Sequence, residues 1–390
     1  MSLDLEKTRA LIREGGFSGW LFCNVFHRDE ISDLVLGVPR ERTNTRPWVC
    51  LLSPDRPPQK IVHRIEESIL NHLPGESIPY STRAEFEAAL SRALPRGGKI
   101  AANYSHTIPV GSYLDHGTAL LLQSLGASLA PAEGLVSRCL GALDDEGRRS
   151  HESAARVLYE AVGSAWARLS RALRDGRSIT EGDVQEWVSQ SISAAGLVSD
   201  APPIVGAGRH TSDPHFSVDG RGAALEQGDL VQFDIWAKEQ PPGAVFADIS
   251  WVGVCAPSPA PLQQRLFDAV RDAREAAVSL LQRRLAAGTP VSGADVDRAA
   301  REVLADRGFA HAIKHRTGHS IGARVHGYGV NLDSVEFPDN RTLTDGACFS
   351  VEPGLYLEEM GMRTEIDCVI HDGELLVTGT GRQFALLTLG

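Results

Sequence analysis

Ile179-Thr-Glu-Gly-Asp-Val-Gln-Glu-Trp-Val188 and Val291-Ser-Gly-Ala-Asp-Val-Asp-Arg-Ala-Ala300 line up without a gap. The match runs on to Gly196-Leu197 in the first copy and Gly308-Phe309 in the second. Each copy opens on a hydroxyl residue, Thr180 or Ser292, with an aspartate three positions later. A hydroxyl there takes up an orphan backbone N–H, and an acid in the first turn favours the positive end of a helix. A glycine at the far end suits a helix C-terminus. Capped helices are common enough for chance to produce such a match. The reading adopted is a duplicated α/β unit, two halves about a pseudo-twofold axis, with a site where the halves meet.

The rest of the chain bounds what that unit can be. Its 390 residues suffice for two domains, each with its own core. A composition of 42% hydrophobic and 23% charged residues describes a globular protein. The net charge is −11 with no lysine- or arginine-rich block, which argues against a nucleic-acid partner. No apolar run reaches the roughly 18 residues of a membrane span. The cysteines are scattered, with no Cys-x-x-Cys pair, so they read as reduced thiols of a cytoplasmic protein. The opening thirteen residues read as a charged amphipathic helix rather than a signal peptide. Short apolar runs at Gly19–Phe22, Trp48–Leu52 and Lys99–Ala102 read as buried strands. Helical spacing covers Arg83–Leu94 and Tyr113–Leu125. These make a small N-terminal α/β domain, residues 1–142. The boundary lies in Gly141–Ser150, before a long helix at Glu152–Leu173, and residues 143–390 form the second domain.

The second domain carries the chemistry. Asp229-Leu-Val-Gln-Phe-Asp-Ile-Trp places Asp234 on a buried strand, and Asp248 lies fourteen residues on in Ala-Asp-Ile-Ser-Trp-Val. Pro241-Pro-Gly243 makes the turn between two arms of a hairpin. Glu352 ends the apolar run Cys348-Phe-Ser-Val, and Glu365 stands within a strand Met362-Arg-Thr-Glu-Ile-Asp-Cys. A buried carboxylate costs several kcal/mol unless a cation or donors compensate it. The alternatives are an exposed acid in the hairpin, and a salt-bridged face on which Arg363, Glu365 and Asp367 alternate. His315, His319 and His326 could be ligands, proton carriers or polar residues of a loop. As a set, four strand-borne carboxylates and one imidazole suit a pair of divalent ions. Such a pair, about 3.5–4 Å apart, needs bridging carboxylates and can share a hydroxide that attacks a carbonyl. Gly318 and Gly322 admit close approach around His319, which becomes the fifth ligand and leaves His326 for substrate.

Asp234, Asp248, Gly318-His319-Ser-Ile-Gly with His326, Val351-Glu352-Pro-Gly-Leu-Tyr and Arg363-Thr-Glu365 together resemble the pita-bread metallopeptidases. Within them the pattern is closest to prolidase and aminopeptidase P, over residues 145–390. The resemblance implies a creatinase-like N-terminal domain and a pita-bread catalytic domain. It implies that Asp234 chelates one metal, that His319 and Glu352 bind the other, and that Asp248 and Glu365 bridge them. Glu352 would also be the general base, His326 would hold the substrate carbonyl, and His215 would line the proline side. Arg363 matches an arginine that braces the carboxylates or touches substrate. His315 reads as a supporting residue, and His210 stays undecided. The pattern departs from the family in the longer interval between the aspartates. Ser250-Trp251 also stands where Thr-Arg is common, and Gly327 replaces a frequent acid.

The function implied is hydrolysis of the bond before proline, in Xaa-Pro dipeptides or in longer Xaa-Pro-peptides. The X–Pro amide lacks an N–H and is confined in shape, so a dedicated site is needed. Arg341 and Arg363 are candidates for the proline carboxylate. Oxygen-rich coordination with one imidazole suits Mn(II), while Zn(II) and Co(II) also fit. The resemblance further implies a homodimer. A ligand-free binding module or a creatinase-like metal-free hydrolase is the competing class, and both usually break the five-residue set.

Overall fold

A computed structural model describes residues 4–389, and the chain divides into two compact units at Leu140 and Gly141. The first unit runs α1 (Leu5–Glu14), β1 (Phe17–Asn24), α2 (Glu30–Leu36), β2 (Trp48–Leu52), β3 (Gln59–His63), β4 (Ser77–Tyr80), α3 (Arg83–Ala93), β5 (Lys99–Ala102), α4 (His116–Ser124), β6 (Ser128–Pro131) and α5 (Glu133–Leu140). Its sheet has the order β4-β3-β2-β1-β5-β6, with β1 antiparallel to β2 and parallel to β5. Side-chain caps set the helix starts: Asp4 accepts from the Lys7 amide and Asp115 from the Thr118 amide. They explain why α1 and α4 begin later than apolar spacing alone predicts. Residues 1–3 of the expected first helix lie outside the described residues.

The second unit runs α6 (Asp145–Arg174), α7 (Glu181–Ala194), β7 (Ile204–Ala207), β8 (Leu230–Ala237), β9 (Ala247–Val254), α8 (Pro261–Ala286), α9 (Gly293–Asp306), β10 (Cys348–Val351), β11 (Gly354–Tyr356), β12 (Gly361–Arg363), β13 (Ile366–His371), β14 (Glu374–Val377) and β15 (Leu387–Thr388). α6 starts seven residues before the expected Glu152, because the Asp144 carboxylate caps the Gly147 amide at 2.8 Å. Two apolar cores result. One joins α6 and α7 to β7–β9, and the other joins α8 and α9 to β10–β13. Each half thus sets a long helix and a short capped helix against strands, and the second core also takes in Leu230, Val252 and Val254 of β8 and β9. Among the described residues no helix is long and apolar enough to cross a membrane.

The duplication is legible bond by bond. Thr180 and Asp183 form a reciprocal capping box at the head of α7, and Ser292 and Asp295 form the same box on α9. Just before the caps, the Ile179 carbonyl accepts from Leu225 and the Val291 carbonyl accepts from Leu343. Both helices end at left-handed glycines, Gly196 (φ 79°) and Gly308 (φ 85°). Asp234 then follows Leu225 at the interval at which Glu352 follows Leu343. The two acids occupy matching places in the two halves.

One difference from the sequence reading concerns Glu365, which lies in a break between β12 and β13 rather than within a strand. Ser350 pairs with Asp367 in β10–β13, and Gly354 with Arg363 in β11–β12, so both pairs continue one hairpin register. The ladder lapses where Pro353 offers no N–H. There the Glu352 amide turns to the Thr317 carbonyl (2.7 Å), and the Glu365 amide turns to the Ser250 carbonyl of β9 (3.0 Å). The second bond ties the two halves together at the site.

His151 of α6 is a further tie. It is fully buried, with Nδ1 2.6 Å from the Phe246 carbonyl and Nε2 2.9 Å from the Thr378 hydroxyl. The carbonyl requires the hydrogen on Nδ1, so neutral Nε2 accepts from Thr378. Burial lowers His151 from 6.5 to about 4. The unfolded chain therefore takes up a proton near pH 6.5 that the folded chain refuses until about pH 4. Stability is full above that window and falls through it, by at most about 3 kcal/mol. The urea midpoint of the second unit should drop between pH 7 and pH 4.5, and His151→Gln should flatten that drop. An unchanged slope in the variant would remove His151 as its cause.

Candidate metal centre

The β8–β9 register pairs Asp234 with Ser250 and Trp236 with Asp248. Alternation then puts Asp234 and Asp248 on one face of the hairpin. The segment around His319 runs beside β10 like an added strand. The His319 amide donates to Ser350 Oγ (3.0 Å), and its carbonyl accepts from the Ser350 amide (2.9 Å). A side chain at Gly318 would collide with the Ser350 carbonyl at 2.1 Å, so this approach needs the glycine. Continuing the long hairpin's register sets Glu352 opposite Glu365.

The five expected ligands converge. Asp248, His319 and Glu365 offer ligand atoms that all lie within 4.8 Å of one another. His319 Nε2 is 3.5 Å from Asp248 Oδ2 and 3.6 Å from Glu352 Oε1. Arg363 joins Asp234 to Glu352: Nη2 pairs with Asp234 Oδ2, and Nε lies 3.7 Å from Glu352 Oε2. Ser250, the family departure, donates to Asp234 Oδ1 (2.8 Å) and accepts from Arg363 Nε (3.1 Å). Arg363 Nη1 donates to the Tyr356 hydroxyl (2.9 Å), which lies 2.8 Å from His315 Nε2. His315 therefore stands behind the cluster, as a support.

The electrostatics divide the carboxylates. Burial, then the charges of Asp234 and Glu352, push Asp248 well above the carboxylate range. Burial, then Asp248 and Glu352, do the same to Glu365. At Glu352 burial acts upward too, but His319, His315 and Arg363 outweigh it and hold the acid at about 2. Burial lowers His319. His326, whose ring packs 4.2 Å from that of His319, is lowered to about 4 by its neighbour and then by burial.

Asp248 Oδ1 and Glu365 Oε1 are buried without a hydrogen-bond partner. Two crowded acids with bare oxygens beside an imidazole are a poor set for a dry core and a good one for divalent cations. The residues present fit such ions.

Other expected residues fare differently. His215 sits on an exposed loop after β7, near enough for its charge to bear on His315 and His326. Arg341 is engaged elsewhere. Its guanidinium grips Asp339 (2.9 and 2.6 Å) and the Gly329 carbonyl (2.6 Å), so it braces a loop rather than waiting for a substrate carboxylate. His210 is held by Glu181 at 2.8 Å and stacks on Phe216. Two residues escaped the sequence reading. Asp367 is buried, accepts from the Asp248 amide (2.7 Å) and keeps one bare oxygen. Arg316 is half-buried, and its charge bears on Glu352, His319 and His326. Its place between His315 and Thr317 was the available signal. The first unit has a cavity of about 430 Å³, lined in part by α3 and α4.

Comparison with known proteins agrees with this architecture. The solved dipeptidase PepE from Mycobacterium ulcerans superposes with a TM-score of 0.72 at 24% identity, covering 99% of this chain and 96% of that one. A probable dipeptidase PepE of Mycobacterium tuberculosis is 33% identical over 226 residues, 57% of this chain and 56% of that protein. The Xaa-Pro dipeptidase of Lactobacillus helveticus is 29% identical over 189 residues, 48% of this chain and 47% of that protein. In sequence, then, the chain spans about half the length of the curated relatives it matches. The model of metallopeptidase family M24 matches residues 148–372, more than half of the chain and the whole stretch that bears the five converging side chains, and the chain belongs to that family.

Proposed function

We propose that the chain is a dinuclear-metal peptidase that hydrolyses the bond preceding proline, with Xaa-Pro dipeptides as its substrate class. The observation that carries this reading is the pair of bare, buried carboxylate oxygens on Asp248 and Glu365, set against His319. Asp234, Asp248, His319, Glu352 and Glu365 would hold the two ions, with Mn(II) favoured by the oxygen-rich set. Bound there, the ions would supply Lewis-acid polarisation of the scissile carbonyl and lower the pKa of a water molecule.

The chain's own groups do the rest. Glu352, kept ionised at about 2, is the base that accepts a proton from the attacking water. It returns that proton to the proline nitrogen as the C–N bond breaks. His326, neutral down to about pH 4, can donate an N–H to the carbonyl oxygen. It opens on a depression of about 400 Å³ lined by Val198, Asp200, Lys238, Phe246 and Val325, which offers room for the residue before proline. His215 is assigned to the proline side. Arg363 holds Asp234 and Glu352 apart from substrate, and Arg341 is locked to Asp339. Arg316, whose charge bears on Glu352, His319 and His326, is assigned to the dipeptide carboxylate. Six free thiols accord with a cytoplasmic setting, and a homodimer follows from the family resemblance.

Hydrolysis of Ala-Pro should vanish on chelation and return with Mn(II), while Ala-Pro-Ala should be cleaved less well. Preference for the tripeptide would replace the dipeptide reading with an aminopeptidase P-like one, and activity indifferent to chelation would end the metal mechanism. Mn(II) at a hundredfold its Kd should stabilise the stripped protein by about 2.7 kcal/mol in thermal unfolding. Arg316→Ala should raise KM for Ala-Pro about tenfold or more, as expected for a lost bond between charged groups, with a smaller change for Ala-Pro-Ala. Equal changes for both peptides would take the carboxylate away from Arg316.

A further inference from the structure

Among the buried carboxylates outside the metal cluster, one on the capped helix of each half has no part in the chemistry above. Glu181 opens α7 and has no exposed surface. Its Oε1 accepts from the Ala207 amide (2.8 Å) and faces His210 Nδ1 (2.8 Å), while Oε2 accepts from the Ala223 amide (2.7 Å). These partners pin both ends of the 207–223 loop and a point inside it, and that loop bears His215. Asp297, on the first turns of α9, is equally buried. Its Oδ1 accepts from the Thr317 amide (2.9 Å) and hydroxyl (2.6 Å). Its Oδ2 accepts from Arg301 Nε (2.7 Å) and from the Ser334 amide (2.8 Å) and hydroxyl (2.5 Å). Thr317 passes the constraint on, since its carbonyl accepts from the Glu352 amide at 2.7 Å. Arg301 also reaches the His315 carbonyl at 2.9 Å.

A carboxylate buried for stability alone is a poor bargain against an apolar side chain of similar size. Most of the donors here are loop amides and hydroxyls, which outside a helix or sheet need a partner of this kind. We infer that Glu181 and Asp297 are positioning residues with separate duties. Glu181 shapes the substrate-side loop that bears His215. Asp297 shapes the segment that carries His319 and receives Glu352. The substrate-side half rests on the peptidase reading; the metal-side half does not.

Glu181→Gln and Asp297→Asn, made in the whole chain, test the division. Three measurements apply: amide hydrogen exchange, the Mn(II) dissociation constant of the stripped protein by chelator competition, and KM with kcat for Ala-Pro. Asp297→Asn should speed exchange in 315–334 and weaken Mn(II) about tenfold or more, the usual scale for residues that orient ligands. It should leave exchange in 207–223 unchanged. Glu181→Gln should speed exchange in 207–223 and raise KM, with Mn(II) binding within about twofold of wild type. Wild-type exchange and affinity in both variants, or loosening of both loops by either one, would overturn the assignment. If a variant loses its helical signal, Thr317→Val or His210→Ala deletes one donor and leaves the carboxylate in place, and the same crossed pattern is required. If the wild-type chain does not cleave Ala-Pro, the peptidase reading fails while exchange and Mn(II) affinity still decide the positioning roles.

Discussion

The second unit is organised around a cost: several acids are buried together in the middle of its sheets. Asp234, Asp248, Glu365 and Asp367 are all buried, and among the described residues one guanidinium, that of Arg363, is buried with them. A lone arginine can satisfy Asp234 and lean on Glu352, but it leaves Asp248 and Glu365 with bare oxygens. Burying uncompensated charge costs several kcal/mol per ion, so the polypeptide alone is incomplete at this point. Divalent cations are the economical completion, because a double positive charge relieves several carboxylates at once. The surrounding fold serves to keep those acids from escaping to water.

Duplication is how the fold achieves this. Each half presents an acid at the same interval after the residue that closes its capped helix, Asp234 after Leu225 and Glu352 after Leu343. The bond from the Glu365 amide to the Ser250 carbonyl then brings the second half's hairpin onto the first half's β9. Neither half holds a complete set: Asp234 and Asp248 come from one, and His319, Glu352 and Glu365 from the other. The requirement that both contribute explains why the ladder is allowed to lapse at Pro353. Two amides are released there, and one ties Glu352 to Thr317 while the other ties Glu365 to Ser250.

This logic was partly readable in the residues. Acids inside runs of Ile, Val, Phe and Cys announce themselves, because packing would not choose them, and that sufficed for Asp234, Asp248, Glu352 and Glu365. Hydroxyl caps and terminal glycines located α7 and α9 for the same local reason. What stayed hidden depends on partners distant in sequence. The strand break at Glu365 follows from register against β10 and from the pull of Ser250, neither visible in Met362–Cys368. Asp367 alternates with Glu365 and read as part of a salt-bridged face. Its actual partner is the Asp248 amide, more than a hundred residues away. The arginines are the sharpest case, since nothing local tells that Asp339 occupies Arg341, whereas among the described residues no such carboxylate grips the Arg316 guanidinium.

The division among the carboxylates bears directly on mechanism. Burial first, and then neighbouring carboxylates, Asp234 and Glu352 at Asp248 and Asp248 and Glu352 at Glu365, make each of these two acids resist ionisation. Glu352 lies only one residue past β10, yet His319, His315 and Arg363 outweigh burial and hold it at about 2. In the proposed mechanism a base held this low has a modest proton affinity, and so it would give the proton up to the leaving nitrogen. Pairs of acids pushed apart by their surroundings are how one site runs both acid and base chemistry. In this chain the separation is made by placement: Asp248 and Glu365 are deeply buried, whereas Glu352 stands at the strand end beside His319 and Arg363.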